Sequence, residues 1–219
     1  MVMTLLEKID KARKLTREYQ ERYPKHSFAF SGGKDSTVLL HVVCSTLDED
    51  ERVALRVDAI LSDTEFDETH DFIDEFSRGC GVTIRTHFYT NDSDKPGDAS
   101  KENKTEKFRE VLADVDCWFS GIRRDEGAMR TEIQDVEERD GLVKVNPIAD
   151  FTERDVWRYL AMYRVPVNKA YAHGYRSLSC KLSSEPEQSG DEGERDGRWR
   201  GNVCQGGECG IHSQSLRRV

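Results

Sequence analysis

The stretch Ser27-Phe28-Ala29-Phe30-Ser31-Gly32-Gly33-Lys34-Asp35-Ser36-Thr37-Val38-Leu39-Leu40-His41-Val42-Val43-Cys44 decides the fold. It opens with a short apolar strand and closes with a buried helix, and the Ser31–Ser36 turn between them is too glycine-rich for either. Two adjacent glycines let the backbone turn tightly and aim its N–H groups at an anion, and the positive end of the following helix adds to the attraction. Lys34 can neutralise phosphate charge, Ser31 and Ser36 bring hydroxyl donors, and Asp35 can hold the loop or assist a Mg²⁺ ion. Glycine, cation and hydroxyls in this strand-to-helix setting predict a phosphate-binding loop rather than a plain turn.

Outward from the loop, strand and helix patterns alternate. Leu5, Leu6, Ile9, Ala12, Leu15 and Tyr19 recur at helical spacing across residues 4–23, and Pro24 ends that helix. Val53–Ser62 reads as a strand, Asp67–Arg78 as a helix with Phe72, Ile73 and Phe76 inward, and Val82–Tyr89 as another strand. Residues 91–103 form a long polar loop placed to cover a substrate, and a helix follows from Lys104 to Leu112. Cys117–Gly121 and Val143–Ile148 are further strands, and Thr152 caps a helix carrying Val156, Trp157, Leu160 and Met162. This alternation predicts an α/β fold, a doubly wound and mostly parallel sheet flanked by helices with right-handed crossovers. Residues 1–182 form the nucleotide-binding domain, and 183–219, rich in Ser, Gly, Glu and Arg at the start, form a flexible C-terminal tail.

The bulk properties narrow the functional classes. A chain of 219 residues with 36% hydrophobic content builds one sizeable core. No apolar run is long enough to cross a bilayer, and the N-terminus lacks the basic start and apolar stretch of a secretory signal, so a cytoplasmic location is expected. A net charge of -9 argues against broad adhesion to nucleic acid, which needs clustered Lys and Arg. Acidic runs such as Asp48-Glu49-Asp50-Glu51 and Glu137-Glu138 read as solvated turns and faces. The six cysteines are too scattered for a disulfide framework.

The Ser31–Ser36 loop resembles the PP-loop of the adenine nucleotide alpha hydrolase-like superfamily, and it differs from a Walker loop in glycine spacing and ending. The resemblance implies ATP cleaved between the alpha and beta phosphates in the presence of Mg²⁺. Asp63-Thr64-Glu65-Phe66-Asp67-Glu68-Thr69 resembles an Asp-Thr and Phe-Pro-Glu-Thr segment of phosphoadenylyl-sulfate (PAPS) reductases, in a shorter copy without the usual glycine and proline, and lies where doubly wound sheets bind ligands; the plainer alternative is an acidic helix N-terminus. Lys104-Thr105-Glu106 and Gly121-Ile122-Arg123-Arg124-Asp125-Glu126, with Arg130, are similar to the ATP sulfurylase small subunit. Arg123 and Arg124 leave a buried strand and are placed to clamp phosphate or sulfate oxygens; the plainer alternative is a surface pair bridged to Asp125 or Glu126.

Further on, Gly174-Tyr175-Arg176-Ser177-Leu178-Ser179-Cys180, Gly197-Arg198-Trp199 and Glu208-Cys209-Gly210-Ile211-His212 resemble the C-terminal half of sulfonucleotide reductases. There the Cys of the Glu-Cys-Gly-Leu/Ile-His motif attacks sulfur, and thioredoxin or glutaredoxin releases sulfite; Cys209 is the matching position. Such a thiol needs a lowered pKa, which Lys34, Arg123, Arg124 or His212 could supply. Cys204 and Cys209 could instead pair with each other, or join His212 around a metal, for which the spacing is loose. Adenylyl-sulfate reductases hold an iron-sulfur cluster on a Cys-Cys pair and a later Cys-x-x-Cys. No adjacent cysteines occur here, Cys180 is followed by Ser183, and no cluster is expected.

The intact loop favours ATP. The expected function is therefore an AMP-forming ATP pyrophosphatase in sulfur metabolism, activating sulfate or, as in DNA phosphorothioation systems, a DNA backbone phosphate held by a partner subunit. Lys34, Asp35, Arg123, Arg124 and Cys209 are its catalytic set, and Ser31, Gly32, Gly33, Ser36, Asp63, Thr64 and Gly121 complete the nucleotide site. The alternative is a thioredoxin-dependent sulfonucleotide reductase with Cys209 as nucleophile. A thioredoxin or a sulfur-donor protein is the partner either reading implies, and the oligomeric state, a homodimer included, is left open.

Overall fold

A computed structural model describes residues 3–91 and 98–198, with the side chains of 98–101 excepted. Six strands form one sheet in the order β3-β2-β1-β4-β6-β5. They are β1 (His26–Ala29), β2 (Val57–Ser62), β3 (Ile84–Tyr89), β4 (Cys117–Phe119), β5 (Val136–Arg139) and β6 (Leu142–Val145). All neighbours run parallel except β5 and β6, which form an antiparallel hairpin. The sheet grows outward from β1 in both directions, so β1 and β4 flank the switch point, where a doubly wound sheet opens a crevice at its carboxyl edge.

The helices cover both faces. They are α1 (Leu5–Arg22), α2 (Lys34–Cys44), α3 (Glu49–Ala54), α4 (Asp67–Cys80), α5 (Asp98–Val111) and α6 (Glu153–Met162). The larger core lies between the sheet and α1, α2, α4 and α6, where Ile9, Val38, Phe72, Phe76 and Tyr159 meet Phe28, Phe30 and Phe119 of the strands and their ends. The smaller core lies under α5, where Phe108, Val111 and Leu112 meet Ile60 and Trp118. Every residue of β2 is buried, as a central strand covered on both faces requires. Among the described residues no helix is long and apolar enough to cross a membrane.

Three elements depart from the sequence reading. Val53 and Ala54 end a short helix, α3, instead of starting a strand, because Asp48 and Glu51 form a capping box that starts the helix and Leu55 leaves it in extended conformation. The acidic run is thus exposed, as expected, but helical. The helix expected from Lys104 begins at Asp98, inside the stretch read as loop. Glu137-Glu138 belong to the edge strand β5, joined to β6 by Asp140 and Gly141 at φ 53° and 75°. Two consecutive left-handed residues form the hairpin turn that Asp-Gly favours.

β2 carries one buried charge. Asp58 lies on the α5 face with Ile60, two residues on. Its carboxylate accepts from Ser27 Oγ at 2.6 Å, Arg56 Nε at 2.9 Å and Arg85 Nη2 at 3.2 Å, and contacts His87 Nε2 at 2.9 Å. Burial alone would raise its pKa, but these partners hold it below the ordinary carboxylate range.

Candidate active site

β1 delivers the Ser31–Ser36 loop to the switch point. Gly32 has φ 71°, and a Cβ there would come 2.9 Å from Thr69 Cγ2 of α4, so the turn excludes other residues on two counts. Ser36 Oγ accepts from Ser31 N at 3.1 Å and donates to Gly33 O at 3.0 Å, and Thr37 Oγ1 reaches the same carbonyl at 2.9 Å. The hydroxyls expected to serve a phosphate thus also knit the loop. Tyr171 accepts from Lys34 N at 2.9 Å, and burial pushes its phenol up to about 12.

β4 delivers Gly121 and Arg123 to the same place. A Cβ on Gly121 would stand 3.0 Å from both Asp35 C and Ser36 N, so strand end and loop touch backbone to backbone. Arg123 is fully buried, and its Nε donates to Asp35 Oδ1 at 2.7 Å. Its backbone N donates to Glu126 Oε1 at 2.7 Å, and Glu126 in turn pairs with Arg130 at 2.5 Å and Arg195 at 3.4 Å.

The two buried cations converge on a residue the sequence reading did not single out. Glu194 accepts from Lys34 Nζ at 2.5 Å and from Arg123 Nη2 at 2.7 Å on each of its oxygens. Lys34 Nζ also donates to Arg176 O at 2.6 Å. Burial would lower the Lys34 pKa, but Asp35, Tyr171 and Glu194 together raise it, so it stays charged. Burial would likewise raise the Asp35 pKa, and Arg123 and Lys34 bring it down. For Glu194, burial and the neighbouring Asp35 prevail, and its carboxyl is raised despite the two cations.

A cavity of about 150 Å³ opens beside this cluster. Ser31, Gly33, Asp35 and Ser36 of the loop and Gly121 line it, facing Lys104, Arg130 and Arg198. Ala29, Ile60, Phe108 and Trp118 supply an apolar wall. Arg195 and Arg198 bring the stretch expected to be mobile into contact with the site. Residues 183–198 are closed on themselves by Glu185 N on Gly197 O at 2.8 Å and by a bridge between Ser184 and Arg198, and are anchored to the site by Glu194 on Lys34 and Arg123 and by Arg195 on Glu126 at 3.4 Å.

The remaining expected site residues divide. Arg124 turns away from the cavity: it pairs with Asp150 and with Asp135, the latter at 2.7 Å, and donates to Ile133 O at 2.8 Å. Asp63 Oδ1 accepts from Asn91 N at 2.8 Å, and Thr64 Oγ1 accepts from Asn91 Nδ2 at 2.8 Å, so both brace the rim while their neighbour Glu65 lines the cavity. Cys180 Sγ, which begins the position matched to Cys-x-x-Cys, is buried against Asn91 Nδ2 at 3.1 Å and Ser183 Oγ at 3.2 Å. With the hydroxyl of Ser183 where a Cys-x-x-Cys carries its second thiol, this stretch does not offer that pair of cluster thiolates. Cys204, Cys209, His212 and Trp199 lie outside the described residues.

Residues 25–186 match the family model for the phosphoadenosine phosphosulfate reductase domain. An adenosine 5'-phosphosulfate reductase of Burkholderia cepacia is 29% identical over 98% of this chain and 91% of its own length. Among solved structures, Candida glabrata FMN adenylyltransferase superposes with a TM-score of 0.65 at 21% identity, covering 91% of this chain and 73% of that one. A PAPS reductase from Candida auris gives a TM-score of 0.62 at 17% identity, covering 84% of this chain and 99% of that one. The structural likenesses carry the fold, which the two share whatever their chemistry. The relatives by sequence are named as reductases, and this overturns the expected AMP-forming ATP pyrophosphatase, for sulfate and for DNA alike. That expectation rested on the intact Ser31–Ser36 loop, and the loop's cation Lys34 is in fact matched by a carboxylate of the chain itself. With 162 of its 219 residues matched by that model, the chain belongs to the phosphoadenosine phosphosulfate reductase domain family.

Proposed function

We propose that the protein is a sulfonucleotide reductase, taking adenosine 5'-phosphosulfate or its 3'-phosphorylated form and using Cys209 as nucleophile. One observation supports it above the others: the family match spans the loop, the ends of β1 and β4 and the Gly174–Cys180 stretch, and the Glu-Cys-Gly-Ile-His motif follows it in the sequence. The apolar wall of Phe108 and Trp118 suits an adenine ring, and Arg130, Arg195 and Arg198 suit the oxygens of a phosphosulfate.

In this reading the Cys209 thiolate attacks the sulfur of the bound phosphosulfate. A sulfur-sulfur bond forms, the bond from sulfur to the bridging oxygen breaks, and the nucleoside phosphate leaves with both electrons. The cations around the crevice stabilise the charge that develops on that oxygen. A dithiol protein of the thioredoxin class then attacks Cys209 Sγ, displaces sulfite, and closes its own disulfide to return the thiol. The dithiol is the two-electron reductant.

The test is to incubate the protein with each nucleotide, a reduced thioredoxin and its reductase, and to measure sulfite. Sulfite release that Cys209→Ser abolishes, while nucleotide binding persists, is the expected result. Release that survives the substitution, or none with either nucleotide, refutes the reading.

A further inference from the structure

We propose that Glu194 is a specificity-determining residue: its carboxylate stands in for the terminal phosphate of a polyphosphate on Lys34 and Arg123, and so bars ATP and pyrophosphate from a loop otherwise built to take them. This deepens the function proposed above and rests on it only in taking the cavity as a nucleotide site.

The geometry is that of an anion in a phosphate site. Glu194 makes a two-oxygen contact to one guanidinium nitrogen and a 2.5 Å contact to the loop lysine, while the side chains of Lys34, Arg123 and Glu194 are 1%, 0% and 4% exposed. A carboxylate so placed has been stripped of water and is replaceable only by a group that meets both cations as well. The segment that presents it is held before Glu194 by Arg176 Nη1 on Glu192 O and Gly193 O at 3.4 Å each, and after it by Gly197 on Glu185 and by Arg198 on Leu178 O at 3.0 Å. A Cβ on Gly197 would stand 2.4 Å from Glu185 O, so this seating depends on glycine.

Charge decides which ligand fits. Lys34, Arg123, Arg130 and Arg195 face Asp35, Asp125, Glu126 and Glu194, four cations to four carboxylates. A triphosphate ends in a monoester group that alone carries about two negative charges. A phosphosulfate ends in a sulfate with a single negative charge, which asks less of a cluster that Glu194 has already balanced. A divalent cation bound by Asp35, Glu126 and Glu194, whose ligand oxygens lie within 4.8 Å of one another, is disfavoured by the Lys34 and Arg123 charges already on them.

The experiment is a titration of the full chain with inorganic pyrophosphate, ATP and adenosine 5'-phosphosulfate, followed by calorimetry, for the wild type and Glu194→Gln. The substitution keeps the shape and removes the charge. Expected is a gain of about tenfold or more in affinity for pyrophosphate and ATP, with a change under about threefold for the sulfonucleotide. Unchanged pyrophosphate and ATP affinities overturn the proposal, as does an equal loss for all three ligands, which would make Glu194 a structural tether. If Glu194→Gln does not fold, Glu194→Asp decides: it withdraws the carboxylate by one methylene, a gain of at least about threefold for pyrophosphate supports the proposal, and no gain overturns it. Sulfite release by the wild type is read separately. Its absence refutes the reductase reading and leaves the anion ranking standing, whereas an unaltered ranking refutes the role of Glu194 with sulfite release intact.

Discussion

Adding one methyl group at Gly121 tests whether the loop and the end of β4 meet as tightly as described. The new Cβ would stand 3.0 Å from Asp35 C, 3.0 Å from Ser36 N and 3.1 Å from Asp35 O. Comfortable carbon contacts begin near 3.5 Å, so relief requires the loop and strand end to part by about half an ångström. Overpacking against backbone costs about 1–3 kcal/mol. With a urea dependence of about 3 kcal/mol per molar for a chain of this size, the unfolding midpoint of Gly121→Ala falls by about 0.3–1 M. The same movement draws Asp35 from the 2.7 Å bond to Arg123, and sulfonucleotide affinity falls by about tenfold. Gly79→Ala is the matched control. It lies in α4 with nothing within 4 Å of its added Cβ, and helix propensity there favours alanine by about 0.5–1 kcal/mol, so its midpoint rises. Midpoints shifted in the same direction, or a destabilised Gly121→Ala with unimpaired nucleotide binding, would refute the reasoning.

Asp58→Asn leaves Arg56, Arg85 and His87 facing an amide and lowers stability at pH 7 by about 2–3 kcal/mol in urea unfolding. Because the folded Asp58 pKa is depressed, its contribution is full above the unfolded value of about 3.9 and is lost as pH falls through the folded value. The acid limb of the stability profile is therefore shallower in the variant. Arg124→Ala costs about 1 kcal/mol or less, since its partners are partly exposed, and leaves the KM for the nucleotide within about twofold. Arg123→Ala leaves the half-buried Asp35 and the buried Glu194 to share Lys34, lowers stability by about 3 kcal/mol and removes detectable nucleotide binding.

The strand, glycine turn and helix of residues 27–44 were legible because local chemistry specifies them: apolar periodicity, a φ only glycine tolerates, and a cation at a helix start. The β5–β6 hairpin had its signal in Asp140-Gly141, but Glu137 and Glu138 suggest solvent, and an edge strand does face solvent. Arg123 and Arg124 look alike in sequence, but the backbone is extended at Arg123 and turns into a short 3₁₀ helix at Arg124, and only the fold says which of the two side chains meets the crevice. Glu194 was hidden for a different reason. Its run of glycines and charges has the composition of a mobile stretch, and the partners that fix it are the Lys34 and Arg123 side chains, far away in sequence. The function was misjudged on the same ground, because an intact phosphate loop does not reveal that a distant carboxylate already occupies its cation.

The Lys34–Glu194 contact spans 160 residues. A ribosome adding about 5–20 residues per second makes Glu194 roughly 8–32 seconds after Lys34. Until Glu194 is made, Asp35 is the carboxylate that Lys34 and, once it follows, Arg123 share. On the proposed role of Glu194, the loop is open to polyphosphates before that residue is made, and its ligand preference is set only once the segment carrying Glu194 has followed.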